Sequence, residues 1–344
     1  MRQPAQHLEC LAAGILAACG TPAADAESVA RLLVEANLAG LDSHGIIRVV
    51  QYVKDIRAGR IVPGATLRVV REAPATALLD NAWNFGQLGG LRAVDIAAQK
   101  AATSGLAGIV LRRCRHVGCL GLYTRALAER GFLAFGLCGA GRDARWVCPW
   151  GGREARLSTN PLSFAAPGPD GPIVADFSTS ALAEGKVRVL MHRGEPLPPD
   201  CILDSRGRVS RDPKALYADP PGAILPMGGA QGYKGFGLSL MVHTFSALLG
   251  GLTDNEGTEP FENPLWLMAV SIAAFMTPDG FLRQAAEFAA YLKSAAPAEG
   301  SSEILLPGEP ERRTSAERRK NGIPLDDETW RQIESLAKDL NLRA

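Results

Sequence analysis

The sequence has little of several features that mark common protein classes. Its 344 residues carry 37 Lys and Arg against 36 Asp and Glu, so it lacks the basic excess with which nucleic-acid-binding proteins collect phosphates. Its longest strongly apolar run, residues 265–276, is well short of the roughly 20 residues that cross a bilayer. We therefore expect no nucleic-acid partner and no membrane partner.

Cysteine and histidine patterns exclude two further classes. The seven cysteines form no CxxC pair and the five histidines show no ligand spacing, so we predict neither a disulfide scaffold nor a metal site. Buried free cysteines are typical of a reducing compartment, which predicts a cytoplasmic protein. Leu16-Ala17-Ala18-Cys19 is similar to a lipoprotein cleavage box, but the apolar stretch before it is short, which favours a helix.

The remaining composition is that of a folded enzyme-sized chain. Apolar residues make up 47% and charged residues 21%, which is typical of soluble globular proteins with a full core. We predict a helical N-terminal part over 1–65, packed with a charged helical tail over 305–344. Between them, over 66–304, short β-rich runs alternate with helices, which predicts an α/β core that binds cofactor and substrate.

Periodicity and breaker residues place the individual elements. In the N-terminal part we expect a helix after Thr21 and Pro22 and one helix from Asp42 to Gly59. The apolar segment 235–249 is expected to be a buried helix, and the charged run that begins at Glu309 a solvated helical tail. The other predicted strands are 66–70, 77–79, 108–111, 132–138, 172–177 and 265–275, and the other predicted helices are 89–104, 122–129, 181–192 and 327–340.

One segment matches a dinucleotide-binding fingerprint. Residues 139–144, Gly-Ala-Gly-Arg-Asp-Ala, fit G-x-G-x-x-A directly after a predicted strand. Pro149, Gly151 and Gly152 follow too soon for the helix that must begin there, and no acidic residue stands about 20 positions on. A Rossmann phosphate loop is therefore disfavoured.

Two histidines stand among polar residues and glycine. His44 has Arg48 one helical turn further on, so we expect both side chains on one face of the third helix. A guanidinium that grips a carboxylate beside an imidazole that exchanges a proton suits a 2-oxo or 2-hydroxy acid. The second histidine is His116. A lone histidine is more often buried in a core than catalytic, so only the neighbours of His44 favour a catalytic role.

Three polar or glycine-rich clusters have two interpretations each. Residues 158–161 and 176–180 carry short polar side chains near strand ends, which suit either turns or a lined pocket. Glycines around Lys234 open a predicted helix, where backbone N–H groups and the lysine hold an anion or form only a tight turn.

Taken in order, these motifs resemble the malate/L-lactate dehydrogenases that lack a Rossmann fold. That family includes sulfolactate and ureidoglycolate dehydrogenases, 2,3-diketogulonate reductase and Δ1-piperideine-2-carboxylate reductase. Any one motif is weak, whereas nine in family order from residue 43 to 309 are specific. They are Ser43-His44-Gly45 with Arg48 and Tyr52, His116-Val117-Gly118 with Gly121 and Tyr123, Ser158-Thr159-Asn160-Pro161, Asp176-Phe177-Ser178-Thr179-Ser180, Gly185-Lys186, Asp212-Pro213, Gly232-Tyr233-Lys234-Gly235, Gly237-Leu238, and Leu306-Pro307-Gly308-Glu309.

The resemblance implies an α/β (mixed α+β) sulfolactate/malate dehydrogenase-like fold with a non-Rossmann NAD(P)-binding sheet. It implies a homodimeric oxidoreductase that uses NAD or NADP. His44 is implied as proton donor or acceptor, His116 as a second candidate acid/base, and Ser43 and Arg48 as contacts to a small carboxylate substrate. The implied cofactor-binding residues are Thr159, Asn160, Asp176, Phe177, Ser178, Lys234, Gly308 and Glu309.

Departures from the family pattern leave the substrate open. Relatives tend to carry Ser or Asn at 139–141, Trp at Cys201 and Gly at Ser158. The leading hypothesis is hydride transfer between nicotinamide and a 2-hydroxy or 2-oxo acid. Alternatives are reduction of a cyclic imine carboxylate, such as Δ1-piperideine-2-carboxylate or Δ1-pyrroline-2-carboxylate, and a catalytically inactive protein that binds NAD(P) or a carboxylate.

Overall fold

The computed structural model of the chain describes residues 1–141, 144–252 and 262–342. Its helices are α1 (Ala5–Ala18), α2 (Ala23–Leu38), α3 (Arg48–Arg57), α4 (Gly86–Ser104), α5 (Leu120–Ala128), α6 (Glu184–Arg193), α7 (Tyr233–His243), α8 (Pro278–Lys293), α9 (Glu309–Asn321) and α10 (Asp327–Asp339). Its strands are β1 (Arg2–Gln3), β2 (Arg68–Ala73), β3 (Thr76–Asp80), β4 (Leu106–Arg112), β5 (Phe132–Cys138), β6 (Leu162–Ala166), β7 (Ile173–Phe177), β8 (Ile202–Leu203), β9 (Val209–Ser210), β10 (Ala223–Ile224), β11 (Leu265–Ser271) and β12 (Ile323–Pro324).

A seven-stranded mixed sheet forms the centre of the molecule, in the order β2-β3-β4-β11-β5-β6-β7. Strands β3 and β4 are parallel and joined by α4, and the other neighbouring pairs are antiparallel. Alternate residues of β11 are buried, as expected for a strand whose two faces differ in exposure. The sheet confirms the predicted mixed α/β fold class.

Helices from both ends of the chain share one apolar core. Leu8 and Ile15 of α1 and Leu33 of α2 are buried in the same cluster as Trp330 and Ile333 of α10. Next to it, β1 pairs antiparallel with β12. Burial of these side chains explains why the N-terminal helices form, because helix propensity alone rarely stabilises segments of this length.

A smaller apolar cluster is formed by residues between positions 147 and 224, before α7 in the sequence. It joins α6 to the three-stranded sheet β10-β8-β9 and consists of Val147, Val187, Leu197, Cys201, Ile202, Leu216 and Ile224. Gly185 of α6 approaches the N-terminal helical part, since a Cβ at this glycine would lie 3.4 Å from Cβ of Ser43. This small unit therefore reaches the segment that carries His44.

The prediction of one helix from Asp42 to Gly59 is wrong. Residues 42–44 form a separate 3₁₀ turn, and α3 begins only at Arg48. The reason is Gly45, whose extended backbone (φ −89°, ψ −150°) interrupts the helix. His44 and Arg48 consequently do not lie on one helical face. Helix α2 also begins one residue later than expected, and the Thr21 side chain forms no cap.

The predicted burial of segment 235–249 is also wrong. Only Gly235, Ser239 and Val242 of α7 are buried, because these small residues form its packed face. Its outer face is apolar and exposed. The charged segment that begins at Glu309 is likewise not fully solvated, since Glu309 itself is buried.

The structure also contains elements that the sequence did not predict, and it describes only part of the rejected fingerprint. Strand β6 and helix α8 were not predicted. Arg142 and Asp143 of the rejected fingerprint lie outside the described residues, and residues 139–141 and 144–161 contain no α-helix. Among the described residues, no helix is long and apolar enough to span a membrane.

Candidate active site

The segment between α2 and α3 presents Ser43, His44 and Arg48 together despite the break in the helix. The Ser43 hydroxyl lies 3.0 Å from Nδ1 of His44. Arg48 Nε donates to the backbone carbonyl of Ser43 at 2.7 Å, and its Nη1 donates to Gln51 at 2.7 Å. The guanidinium is thereby folded back toward the turn that carries the imidazole.

The second predicted histidine lies directly against the first. His116 belongs to the loop between β4 and α5, and its ring stacks on the ring of His44 with centroids 5.4 Å apart and planes inclined by 29°. The two sequence motifs, 72 positions apart by residue number, thus meet at a single place.

A hydrogen-bonded chain leads from His116 into the protein. Oη of Tyr52, on α3, lies 2.8 Å from Nδ1 of His116, and the buried amide of Gln87 donates to the same phenol oxygen. These bonds fix the orientation of the His116 imidazole relative to Tyr52 and Gln87.

The surroundings favour uncharged imidazoles. Burial, together with the positive charge of Arg48, lowers the pKa of His44 to about 4. Burial, Arg48 and His44 lower the pKa of His116 well below its usual value. Burial raises the pKa of Tyr52, so the phenol keeps its proton. At neutral pH this cluster therefore holds two neutral imidazoles beside one guanidinium.

His44 also faces a small cavity. Gln87 shares the lining, and its side-chain oxygen is buried without a hydrogen-bond partner. The other lining residues are mostly apolar: Leu32, Leu33, Val117, Gly118, Cys119, Leu122 and Tyr123.

Of the residues predicted to bind a cofactor, Asn160 has the most distinctive environment. It is buried and its φ is +38°, in the left-handed region that asparagine tolerates better than most residues. Its Nδ2 donates to the carbonyl and hydroxyl oxygens of Ser239 at 3.1 and 3.0 Å. Its Oδ1 is buried without a partner. A buried acceptor of this kind commonly awaits a ligand or an ordered water.

Neighbouring polar segments are tied to Asn160. The hydroxyl of Thr179 donates to the carbonyls of Thr159 and Asn160 at 3.2 and 3.0 Å. Ser178 bonds with Ser180, since its Oγ donates to the Ser180 carbonyl at 3.4 Å and accepts from the Ser180 hydroxyl at 3.0 Å. The structure thus brings 159–160 and 178–180 together.

Asp176 is occupied by contacts inside the chain. Its Oδ2 accepts from the backbone N–H of Gly121 at 2.6 Å and from the thiol of Cys119 at 3.2 Å. The carboxylate therefore lies at the N-terminus of α5, where the helix dipole favours negative charge. Burial nevertheless raises its pKa. Its neighbour Phe177 is exposed.

The last three predicted cofactor residues differ among themselves. Lys234 lies exposed on the first turn of α7, with its Nζ 5.9 Å from the ring centre of Tyr233. Glu309 is buried, and its carboxylate accepts from Nζ of Lys293 at 2.5 Å and from the Leu306 N–H at 3.0 Å. Gly308 has φ +91°, which glycine adopts without strain. Glu309 thus fastens its own loop.

Sequence reasoning did not assign two members of the cluster, Tyr52 and Gln87. Tyr52 had a usable signal, since it follows Arg48 by four residues on α3 and so lies on the same helical face. Gln87 had none, because only the tertiary fold brings the start of α4 against Tyr52. The described part of the chain contains no group of His, Cys, Asp and Glu that could hold a metal ion.

Comparison with known proteins identifies relatives along the whole chain. The family model for malate/L-lactate dehydrogenase matches residues 4–334. Hydroxycarboxylate dehydrogenase B of Escherichia coli is 33% identical over 99% of this chain and 95% of its own length. The structure of sulfolactate dehydrogenase from Methanocaldococcus jannaschii is similar with a TM-score of 0.89 and 30% identity, covering 100% of this chain and 98% of that one. Δ1-Piperideine-2-carboxylate reductase from Pseudomonas syringae gives a TM-score of 0.85 and 26% identity, covering 98% and 100%.

Proposed function

Because the chain belongs to the malate/L-lactate dehydrogenase family, we propose that this oxidoreductase interconverts a small 2-hydroxy acid and the matching 2-oxo acid with NAD or NADP. The observation that carries the proposal is the stacked pair His44 and His116 beside Arg48. Because both imidazoles are uncharged at neutral pH, either can accept a proton from a hydroxyl.

The substrate contacts follow from the donors in the cluster. The Arg48 guanidinium has five N–H donors. The donor on Nε bonds to Ser43 and one donor on Nη1 bonds to Gln51, and neither bond uses the donors on Nη2. Its remaining donors can hold the substrate carboxylate, and the Ser43 hydroxyl adds a further contact. His44 then accepts the hydroxyl proton during oxidation, and returns it to the carbonyl oxygen during reduction. His116, held by Tyr52, is the second candidate for this role.

The cofactor residues of the proposal are those with free polar atoms. A bound nicotinamide cofactor would supply the hydride acceptor or donor for C2 of the substrate. Asn160, with its unpartnered buried Oδ1, fits a cofactor N–H or hydroxyl donor, and exposed Lys234 fits a phosphate. Thr159, Phe177 and Ser178 complete the contact surface. We assign Asp176, Gly308 and Glu309 to shaping it, because Asp176 and Glu309 already bond within the chain and Gly308 makes a turn beside Glu309.

A second candidate function is reduction of a cyclic imine carboxylate. The likeness to Δ1-piperideine-2-carboxylate reductase favours it. The same arginine would hold the carboxylate, and the proton would go to nitrogen instead of oxygen. A catalytically inactive binding protein is disfavoured, because Ser43, His44, Arg48 and His116 are all present and adjacent.

A direct assay tests the proposal. Purified protein is mixed with NADH or NADPH and with a series of 2-oxo acids and cyclic imine acids, while absorbance of the reduced nicotinamide is followed. We expect turnover of at least one 2-oxo acid and loss of that turnover in Arg48→Ala. Turnover of cyclic imines alone would replace the leading proposal by the second. Cofactor binding without any turnover would support the inactive binding protein.

We also propose that the chain is a cytoplasmic homodimer. Apolar side chains of and next to α7 and α8 are exposed, including Phe275 at 75% and Tyr291 at 72%. Large exposed apolar areas often mark interfaces between proteins. Other exposed apolar side chains of these segments include Leu240, Met241, Phe245, Leu248, Leu249 and Phe288. Light scattering on the purified protein should give twice the chain mass, and Phe288→Glu should shift it toward the monomer. A monomeric wild-type protein would contradict the assignment.

The seven free cysteines support the reducing compartment, since five of them are buried. Fractionation of source cells with an antibody against the chain tests the location. Recovery in a compartment other than the cytoplasm would contradict it.

A further inference from the structure

An arginine from the C-terminal helix α9 grips the segment that carries His44. Arg318 donates from Nη1 and Nη2 to the two carboxylate oxygens of Asp42, at 2.6 and 3.1 Å, and also donates to the backbone carbonyl of Asn37. Its side chain is only 12% exposed. Two-pronged arginine contacts of this kind fix orientation as well as adding attraction.

Asn37 extends this grip across the whole turn. Its buried amide donates from Nδ2 to Asp42 at 2.6 Å, and its Oδ1 accepts from the N–H of Ile46 at 2.7 Å. Asp42 and Ile46 flank Ser43 and His44, so one side chain holds both ends of the turn. Gly45 is required beside it, because a Cβ there would lie 2.1 Å from Oδ1 of Asn37.

We propose that Arg318 is a positioning residue for His44, acting through Asp42 and Asn37. This inference rests on the proposed role of His44. Arg318 lies more than 270 positions away in sequence and touches neither imidazole, yet it fixes the ends of the turn that aims one of them. Catalytic geometry is sensitive to such support, since a shift of about 1 Å can lower turnover by about 10²-fold.

The neighbouring residue provides a matched control. Arg319 is on the same helix and also pairs with α2, through Glu35 at 2.6 Å, but its side chain is 55% exposed and it does not contact Asp42. Surface pairs of this kind usually contribute little. The two arginines therefore separate a general contact between α9 and α2 from a specific contact to the His44 turn.

The experiment compares Arg318→Ala, Arg318→Lys and Arg319→Ala. We expect Arg318→Ala to lower kcat by about 10- to 100-fold, with KM for the cofactor unchanged, and Arg318→Lys to lower it less, because lysine keeps the charge without the fork. Added guanidinium ion, at concentrations that leave the wild type folded, should restore part of the kcat of Arg318→Ala. Arg319→Ala should match the wild type.

Hydrogen exchange gives a readout that needs no activity. In Arg318→Ala the peptide over 41–47, which contains the Ile46 N–H, should exchange faster than in the wild type, whereas Arg319→Ala should leave it unchanged. Unchanged exchange and kcat in Arg318→Ala, or equal losses in both alanine variants, would overturn the proposal. If the wild type turns over no substrate, the proposed function fails, and the exchange rates alone decide whether Arg318 holds the turn.

Discussion

The side chains around His44 and His116 contact one another, whereas the residues predicted to bind the cofactor are divided between free groups and groups used inside the fold. In the first region, burial and the charge of Arg48 lower the pKa of both imidazoles, and the chain from Gln87 through Tyr52 fixes the ring of His116. In the second, Asn160 keeps an unpartnered oxygen, while Asp176 and Glu309 bond to backbone and side chains nearby.

The difference shows that a sequence motif can mark two kinds of constraint. Residues whose polar atoms meet at one point with altered pKa values are candidates for chemistry. A carboxylate bonded at a helix N-terminus, as Asp176 Oδ2 is at α5, instead stabilises the local fold. Substitutions in the two regions should therefore affect different measurable quantities.

The largest effect is expected at His44. His44→Ala should lower kcat by about 10² to 10⁴-fold, the usual contribution of a general acid or base, and should leave cofactor binding nearly unchanged. Steady-state kinetics and fluorescence titration with NADH and NADPH measure the two effects. Exposed His192 supplies the control, since His192→Ala should behave like the wild type. An unchanged kcat in His44→Ala would transfer the role to His116.

The next effect is expected at Arg48. Arg48→Lys should raise KM for the carboxylate substrate by about 10- to 100-fold, because one ammonium cannot replace a forked, charge-assisted contact. Arg57→Lys, an exposed change at the end of the same helix, should leave KM unaltered. If Arg48→Lys binds substrate as the wild type does, another group holds the carboxylate.

A pair of substitutions tests the division within the cofactor region. Glu309→Gln should lower the free energy of unfolding by about 1 kcal/mol, because it weakens the contacts to Lys293 and Leu306, and should leave cofactor KM unchanged. Lys234→Ala should raise cofactor KM about 3- to 10-fold without loss of stability, as expected when an exposed cation leaves a phosphate. Urea unfolding and kinetics together measure both. If instead Glu309→Gln raises cofactor KM and Lys234→Ala lowers stability, then Glu309 contacts the cofactor and Lys234 supports the fold.

The sequence predicts much of the sheet and names the residues on which the proposed mechanism depends. The strand at Phe132–Cys138 is correct to the residue, since its apolar run is bounded by glycine on both sides. The motifs also name both histidines and Arg48. What the sequence could not supply is the relation between them, because the stacking of His44 on His116 depends on how the turn before α3 packs against the loop after β4.

Two errors have a common cause. Helical periodicity continues across Asp42 to Gly59, but the extended backbone at Gly45, beside the bond from the Ile46 N–H to Asn37, interrupts the helix. Apolar composition predicts burial of 235–249, but the outward face of α7 has no covering element within the described residues. In the first case a tertiary contact overrides the local helical pattern, and in the second the covering contacts that burial would need are missing among the residues that the structure describes. Hydrophobic periodicity records neither, because it reflects only the local sequence.

The smallest expected effect concerns pH and extends the comparison to stability. In the folded protein His44 stays neutral down to a pKa of about 4, while in the unfolded chain it binds a proton near 6.5. The unfolded state therefore holds more protons between these values, so His44 costs stability as the pH falls through 6.5 toward 4. Because the His44 side chain is partly exposed, solvent screens its interactions, and we expect its protonation to lower the free energy of unfolding by about 1 kcal/mol at pH 5. Urea unfolding at pH 7 and pH 5 should show a smaller loss for His44→Asn than for the wild type, whereas equal losses would mean that His44 is protonated as easily in the folded site as in water.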